Sequence, residues 1–437
     1  MKYIEDSGLL NYRFRNGMLM LPFYRYRIMS QINNGLNIAP KQVKDNIFKK
    51  LGRIVCYLKM CKIQRAKFVF FTSTLFNVKN PQGVFFNSLD GFYYDLYPED
   101  CLLVEDADGA YFWRTTDSYQ GLSFINTYLL SLSSIIARII HFFPYKRNPD
   151  VYEFSKNEYA SFLSVKELEM EDLRVAIYGK LIKWLLHRTQ CKVAFVNCAC
   201  YGGYSAIIIN IAKKLGIRTV ELQHGCIDEG NYAYNESLFA GNEHYGYYIP
   251  DEIWTFGAFW HKFIKWKTKK VLVGNPYLNT FIKSKIVTKS SIDFLVISQP
   301  VYNIIISFVS ELAELYPEKR IVVRLHPRDD INEYDSLRMY SNIHFSSSVN
   351  NLYEEIGRSE SIIGLFSTCL YESLAFNKKL FIIDCEWSRN SFPRSIGVWV
   401  KSAREIGTGK TESIEGDDLW FPDFEGAVCS QLDQYVK

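Results

Sequence analysis

Several segments of the chain end an apolar, strand-like run in residues that can hold anions or move protons. The run Ile321-Val322-Val323-Arg324-Leu325-His326-Pro327 closes on a histidine. Its proline stops the ladder, so the imidazole of His326 is expected at a strand tip, where it can donate to a phosphate oxygen. The run Ile362-Ile363-Gly364-Leu365-Phe366-Ser367-Thr368 opens a second turn and then a helix that contains Glu372. Ser367 or Thr368 suits its N-cap, and the N–H groups beyond suit an anion. Glu372, one turn further on the same face, can accept from ribose hydroxyls or base edges. Two phosphate-type tips on consecutive strand–helix units point to a nucleotide site, with Arg324, Pro327 and the turn glycine Gly274 placed beside it.

The first half of the chain offers two acidic tips. In Val220-Glu221-Leu222-Gln223-His224-Gly225, followed by Ile227-Asp228-Glu229-Gly230, one histidine and two carboxylates fall within six residues. His224, Asp228 and Glu229 can supply a general base, and Gly225 permits close backbone approach. In Leu102-Leu103-Val104-Glu105-Asp106-Ala107-Asp108-Gly109 a second pair, Glu105 and Asp106, ends another run. Asp106 and Asp108 also have the Asp-x-Asp spacing of a metal pair. That spacing is common by chance, and His326 with a helix end can meet a phosphate charge, so no metal and no cofactor are expected.

The elements that must position these residues alternate strand and helix. Strands are predicted at 67–71, 101–104, 193–197, 219–222, 252–255, 271–273, 293–297, 321–324, 361–363 and 380–383. Helices are predicted at 124–143, 165–187, 205–215, 258–266, 302–315, 350–356 and 368–376, with Gly216 as a left-handed C-cap. This is the pattern of parallel βαβ units, in which ligands bind beyond the carboxyl ends of the strands. The expected fold is α/β: two Rossmann-like domains facing across a cleft, residues 1–248 on the acceptor side and 249–437 binding the nucleotide. The last residues are expected to cross back to the first domain.

Composition sets the bounds. A chain of 437 residues with 48% hydrophobic and 22% charged residues fits two folded domains and excludes disorder. The ten cysteines are scattered among apolar runs and read as reduced thiols. The N-terminus lacks the apolar core of a signal peptide, so a cytoplasmic protein is expected. The longest apolar run, Phe124 to Phe143, is interrupted by Arg138 and His141 and reads as a buried or half-buried helix. Residues 1–70 carry fourteen Lys/Arg against three Asp/Glu. These interleave with aromatics, as in Tyr12-Arg13-Phe14-Arg15 and Phe23-Tyr24-Arg25-Tyr26-Arg27. Such a stretch suits an anionic membrane surface, with a solvated basic face as the plain alternative. No nucleic-acid motif accompanies it. A second cluster, Lys262, Lys265, Lys267, Lys269 and Lys270, has the same two readings.

The Gln-His-Gly at 223–225, the His-Pro at 326–327 and the Ser-Thr with Glu372 resemble bacterial capsule and lipopolysaccharide transferases of the two-domain GT-B fold. The nearest likeness is to capsule-synthesis proteins that transfer Kdo from CMP-Kdo, and to bacterial sialyltransferases. The resemblance implies that His326, Ser367 and Thr368 hold the nucleotide phosphate. It implies a catalytic carboxylate in an acidic-acidic-Gly motif, matched either by Asp228-Glu229-Gly230 or by Glu105-Asp106 with two residues inserted before Gly109. The expected activity is metal-independent transfer of a CMP-activated acidic sugar to a polysaccharide or lipid-linked acceptor at the inner face of the membrane. The alternatives are an NDP-hexose or glycerol-phosphate transferase, a sugar-nucleotide epimerase of the same architecture, and a non-catalytic assembly partner.

Overall fold

The computed structural model describes residues 8–34, 63–79, 83–106, 122–123, 125–235, 242–283, 290–326, 329–347, 351–406 and 418–436. The strands are β1 (Phe68–Ser73), β2 (Asn77–Lys79), β3 (Phe85–Asn87), β4 (Cys101–Asp106), β5 (Leu122–Ser123), β6 (Val193–Val196), β7 (Arg218–Leu222), β8 (Glu252–Thr255), β9 (Lys269–Leu272), β10 (Ile292–Ile297), β11 (Ile321–Arg324), β12 (Ile343–Ser346), β13 (Ser359–Gly364), β14 (Lys379–Ile383) and β15 (Val398–Val400). Seven of them form a parallel sheet in the order β5-β4-β1-β6-β7-β8-β9, and six a second parallel sheet in the order β12-β11-β10-β13-β14-β15. β2 and β3 form a small antiparallel hairpin. The central strands are apolar along nearly their whole length because both faces are covered, as β1 shows with Phe68 to Phe71 all buried.

The helices that matter for the site are α1 (Leu21–Asn34), α2 (Ile125–Phe142), α3 (Val165–Thr189), α4 (Gly203–Lys214), α5 (Leu352–Arg358), α6 (Thr368–Leu374) and α7 (Phe424–Val436). Gly216 does follow α4 with φ 72°. One continuous apolar core spans both sheets, joining Val69, Val104 and Ala194 to Leu295, Ile362 and Leu380.

The two sheets do not divide at residue 248. β8 and β9 pair in the first sheet, Val220 against Glu252 and Trp254 against Val271, so the change of sheet falls between Leu272 and Ile292. An apolar run identifies a strand but not the neighbour it pairs with. The predicted helix at 258–266 is a 3-10 helix over Ala258–Phe263. Strands β12 and β15, at the two edges of the second sheet, went unread.

The basic N-terminal segment is corrected as well, where it is described. Arg25 is 2% exposed; it donates to the carbonyls of Tyr232 (2.7 Å) and Ala233 (3.1 Å), and to that of Cys200, and lies over the Trp266 ring. Arg15 pairs with Asp172 at 2.7 Å and Arg27 with Glu167 at 2.7 Å. These arginines bolt α1 and the chain before it onto α3 and the loops beside α4, and do not form a lipid-facing array. Residues 35–62, which carry much of the remaining charge, lie outside the described residues.

The chain crosses back at its end. The Trp260 indole donates to the Leu419 carbonyl at 3.0 Å, and the Phe421 N–H donates to Phe256 O at 2.6 Å. Beyond it, α7 buries Phe424, Val428 and Leu432 against Phe68, Phe195 and Trp254 of the first sheet. Two glycines make room. A Cβ on Gly257 would meet Asp418 O at 2.4 Å, and one on Gly274, which has φ 82°, would meet Phe421 O at 2.1 Å. Gly274 therefore serves the crossing, not the nucleotide.

Gly274→Ala should destabilise the protein by about 2–4 kcal/mol, combining positive-φ strain with a clash against a fixed carbonyl. Gly83→Ala, with φ 79° but nothing within 4 Å, provides the strain alone and should cost about 1 kcal/mol. Urea midpoints of the two variants test this, and equal losses would refute the crossing as the reason for Gly274.

Candidate active site

The first wall of the cleft is the loop after β7. Gln223 is buried; its Oε1 accepts from Phe256 N–H at 2.8 Å and its Nε2 donates to Gly225 O at 2.9 Å, which fixes the loop's path. His224 follows, packed against the Phe76 and Tyr201 rings, with Nε2 3.5 Å from the Cys198 thiol. Burial lowers its pKa to about 4, so the imidazole is neutral at pH 7. Burial raises the Cys198 thiol, so the two form no thiolate–imidazolium pair. Asp228 is half-buried and its pKa is pushed up to about 6 by burial, against the backbone N–H groups of Gly230 and Asn231. The Asn235 amide holds this turn by donating to the carbonyls of Asp228 and Glu229, both at 2.6 Å. Glu229 itself is exposed.

The second wall is α6 and the strand tips beside it. Ser367 caps α6, its Oγ accepting from Cys369 N–H at 3.3 Å. Thr368 Oγ1 accepts from Cys226 N–H at 3.0 Å, a hydrogen bond that spans the cleft. Gly225 allows this approach: a Cβ there would stand 3.3 Å from the Thr368 hydroxyl. Glu372 is buried, accepts from the Tyr353 hydroxyl at 3.0 Å, and is pushed up to about 7 by burial. Asp228 follows Cys226 by two residues and Glu372 follows Thr368 by one turn of α6, so the Cys226–Thr368 hydrogen bond brings the two segments that bear these carboxyls together. His326 is half-buried at the tip of β11. Its backbone N–H is shared by Ser298 Oγ (2.9 Å) and Asp329 Oδ2 (2.8 Å), tying the tips of β10 and β11 together. Pro327 lies outside the described residues. Arg324 faces inward, its guanidinium bound at 2.5 Å to Glu355 of α5, which Ser346 also contacts at 3.1 Å. It fastens α5 to the sheet, so the role beside the nucleotide expected from sequence is corrected to a structural one.

A third group of acids sits at the tips of β1, β4 and β6. Asp90, fully buried, accepts from Asn197 Nδ2 at 3.0 Å, and the Thr72 hydroxyl between them accepts from Asn87 and Asn197, both at 3.0 Å. Glu105 accepts from Asn77 at 2.6 Å. Asp106 accepts from Asn126 at 2.8 and 3.0 Å, and Tyr178 donates to Asn126 in turn. These partners are neutral, and among the described residues Oδ1 of Asp90 and Oε2 of Glu105 are buried without a hydrogen-bond partner. Burial raises Asp90 to about 6, Asp106 to about 7 and Glu105 to about 8. Asp90 and the asparagines went unread in the sequence, although each ends or follows a short apolar run. Strands β1 and β6 separate β4 from β7. The two candidate acidic motifs therefore stand roughly 14 Å apart, three inter-strand steps. Asp108 and Gly109 lie outside the described residues. Among the described residues, no group of three His, Cys, Asp or Glu is arranged to hold a metal ion.

A carboxyl with a higher pKa folded than unfolded binds more protons in the native state, so it loses stability as pH rises through the folded value. His224 works in the opposite sense, but only between about 4 and its ordinary 6.5. Above pH 6.5 the carboxyls decide the sign, and stability should fall toward pH 8. The slope should reach at most ~1.4 kcal/mol per pH unit for each group still titrating. Glu105→Gln should flatten it. Urea midpoints across this range are the measurement, and a stability that rises from pH 6.5 to 8 would contradict the assignment.

No protein-family model matches the sequence, and no curated protein matches it. Solved structures do match. A UDP-N-acetylglucosamine 2-epimerase superposes with TM-score 0.50 at 10% identity, over 86% of this chain and 97% of that one. The UDP-GlcNAc 2-epimerase of Methanocaldococcus jannaschii matches with TM-score 0.44 at 12% identity, over 84% and 99%. CalG4, the calicheamicin glycosyltransferase, matches with TM-score 0.48 at 10% identity, over 85% and 99%. At these identities the likeness is one of fold: the chain has two Rossmann-like domains facing across a cleft, the GT-B arrangement.

Proposed function

We propose that the chain is an enzyme that acts on a nucleotide-activated sugar held between its two sheets. The observation that carries this reading is the Cys226–Thr368 hydrogen bond across the cleft, which brings together the loop bearing half-buried Asp228 and the helix bearing buried Glu372, with pKa values of about 6 and 7. Such values lie close to neutrality, where a carboxylate can take a proton and a carboxylic acid can return one. The tips of β10, β11 and β13 supply Ser298, His326, Ser367 and Thr368 for the nucleotide side. Neutral His224 can orient a hydroxyl without adding charge.

Epimerisation within the sugar nucleotide is the leading finer reading. It is the activity named for the neighbour whose TM-score reaches 0.50. Inverting a carbon centre needs no acceptor, and it can use one group that takes a proton and another that returns one. Transfer of a CMP-activated acidic sugar to a polysaccharide or lipid-linked acceptor is the second reading, supported by the Gln-His-Gly, His-Pro and Ser-Thr motifs. In that reaction Asp228 would deprotonate the acceptor hydroxyl.

One set of experiments separates them. Thermal shift with UDP, CMP, CDP and GDP should show selective stabilisation by one nucleotide, about 2.7 kcal/mol at a hundred times its dissociation constant. Incubation of UDP- and CMP-sugars without acceptor, in deuterated water, should give a new epimer carrying deuterium if the first reading holds. It should leave the sugar nucleotide's configuration unchanged if the second does. Either way Asp228→Asn and Glu372→Gln should each lower kcat by about 10²-fold or more with the fold retained. The wild-type pH–rate profile should peak between about 6 and 7. No stabilisation by any nucleotide would refute the enzymatic reading.

A further inference from the structure

The helix α2 has two faces with different surroundings. Asn126, Leu129, Ser133 and Ala137 recur at helical spacing and are buried. Leu132 (43% exposed), Ile135 (54%), Ile139 (55%) and Phe142 (86%) follow the same spacing on the opposite side, and Phe143 (60%) continues the stripe. The inner side rests on α3, which runs antiparallel. Tyr178 reaches Asn126 at 2.7 Å near one end, and Arg147 just past α2 pairs with Glu169 at 3.2 Å near the other. Only 22% of the 18 residues are buried, although the helix is long and apolar enough to cross a membrane by composition. Of the two forms expected, buried or half-buried, the helix takes the second, with its outer side exposed. A contiguous row of five large apolar side chains left to water marks an interaction surface.

We propose that this outer face of α2 docks the protein on an anionic bilayer, the apolar stripe entering the boundary between headgroups and acyl chains. The inner face is occupied by α3, so the helix lies in the membrane plane and does not span it. Charge selects the partner. From Ile125 to Pro149 the chain contains Arg138, Lys146 and Arg147 and no Asp or Glu. At that end Arg147 and Arg15 are paired with Glu169 and Asp172, which leaves Arg138 and Lys146 as the exposed cations beside the stripe. In a two-fold pairing of this patch with a second copy, those positive charges would oppose one another, whereas anionic headgroups complement them. This inference is independent of the proposed reaction.

The full chain should co-sediment with vesicles of phosphatidylcholine mixed with phosphatidylglycerol, more weakly with phosphatidylcholine alone, and less as salt rises. The double variant Phe142→Ser/Phe143→Ser should lower partitioning about tenfold or more while its thermal melt stays at the wild-type value, since both rings are exposed. Phe142→Trp provides a second reading: its emission should shift to the blue on adding the mixed vesicles and be quenched by brominated acyl chains. Equal sedimentation of wild type and double variant, or an unshifted Phe142→Trp, would overturn the proposal. So would a wild-type dimer in light scattering that the double variant dissolves, which would assign the face to a second copy.

Discussion

The structure depends on how the end of the chain returns over the first sheet. Two parallel sheets put their binding edges at the carboxyl ends of their strands, and a site between them requires those edges to face each other. Here the return segment at Leu419–Phe421 lies over Gly257 and Gly274, held by Trp260 and the backbone of Phe256. The helix α7 beyond it is buried under β1, β6 and β8 through Phe424, Val428 and Leu432. With both ends of the second domain tied to the first, the Cys226–Thr368 hydrogen bond across the cleft becomes geometrically possible. Without that tie, the two segments bearing the carboxyls on which the reaction reading rests have no reason to come together.

The second organising fact is where positive charge is used. The described arginines of the N-terminal segment and Arg324 are committed to carbonyls and carboxylates inside the fold. The acids at the strand tips receive amides and hydroxyls instead. Burial then acts on Asp90, Glu105, Asp106, Asp228 and Glu372 with little opposition, and all five are raised. A buried carboxyl without a cation costs stability when ionised, which is why such groups gather where a protein needs a proton donor near neutrality. The same logic separates them from Glu252, whose partners Arg218 and Lys269 hold it below the usual carboxylate range and leave it structural.

Much of the scaffold was legible because strand and helix periods are local properties. The tips carrying His224, His326 and Ser367–Thr368 stand where apolar runs end, and those runs are visible residue by residue. What could not be read depends on pairing between distant segments. β8 looks like any other buried strand, and only its register against β7 assigns it to the first sheet. Gly274 in a Gly-Asn-Pro turn resembles a ligand loop until Phe421 is found against it. Arg324 at a strand end resembles a phosphate ligand until Glu355 arrives from α5. Asp90 became part of an acidic group only when Asn197, more than a hundred positions away, donated to it. Helix α2 shows the same limit: its composition suited a buried or half-buried helix, and which side faces the protein is decided by α3.

These two features, the acid group and the exposed helix, meet in one residue. Asn126 in the first turn of α2 donates to both oxygens of Asp106 and accepts from Tyr178 of α3. The far end of α2, at Phe142, stands about 25 Å along the axis from it. A helix held this firmly at its base, with its inner side packed along α3, positions its outer stripe as a rigid extension of the first sheet. Whatever surface receives that stripe also sets the orientation of the β4 tip and, through β1 and β6, of the loop bearing His224 and Asp228. A cleft facing a defined direction relative to that surface needs only one docked helix, because the first sheet transmits its orientation without a hinge between them.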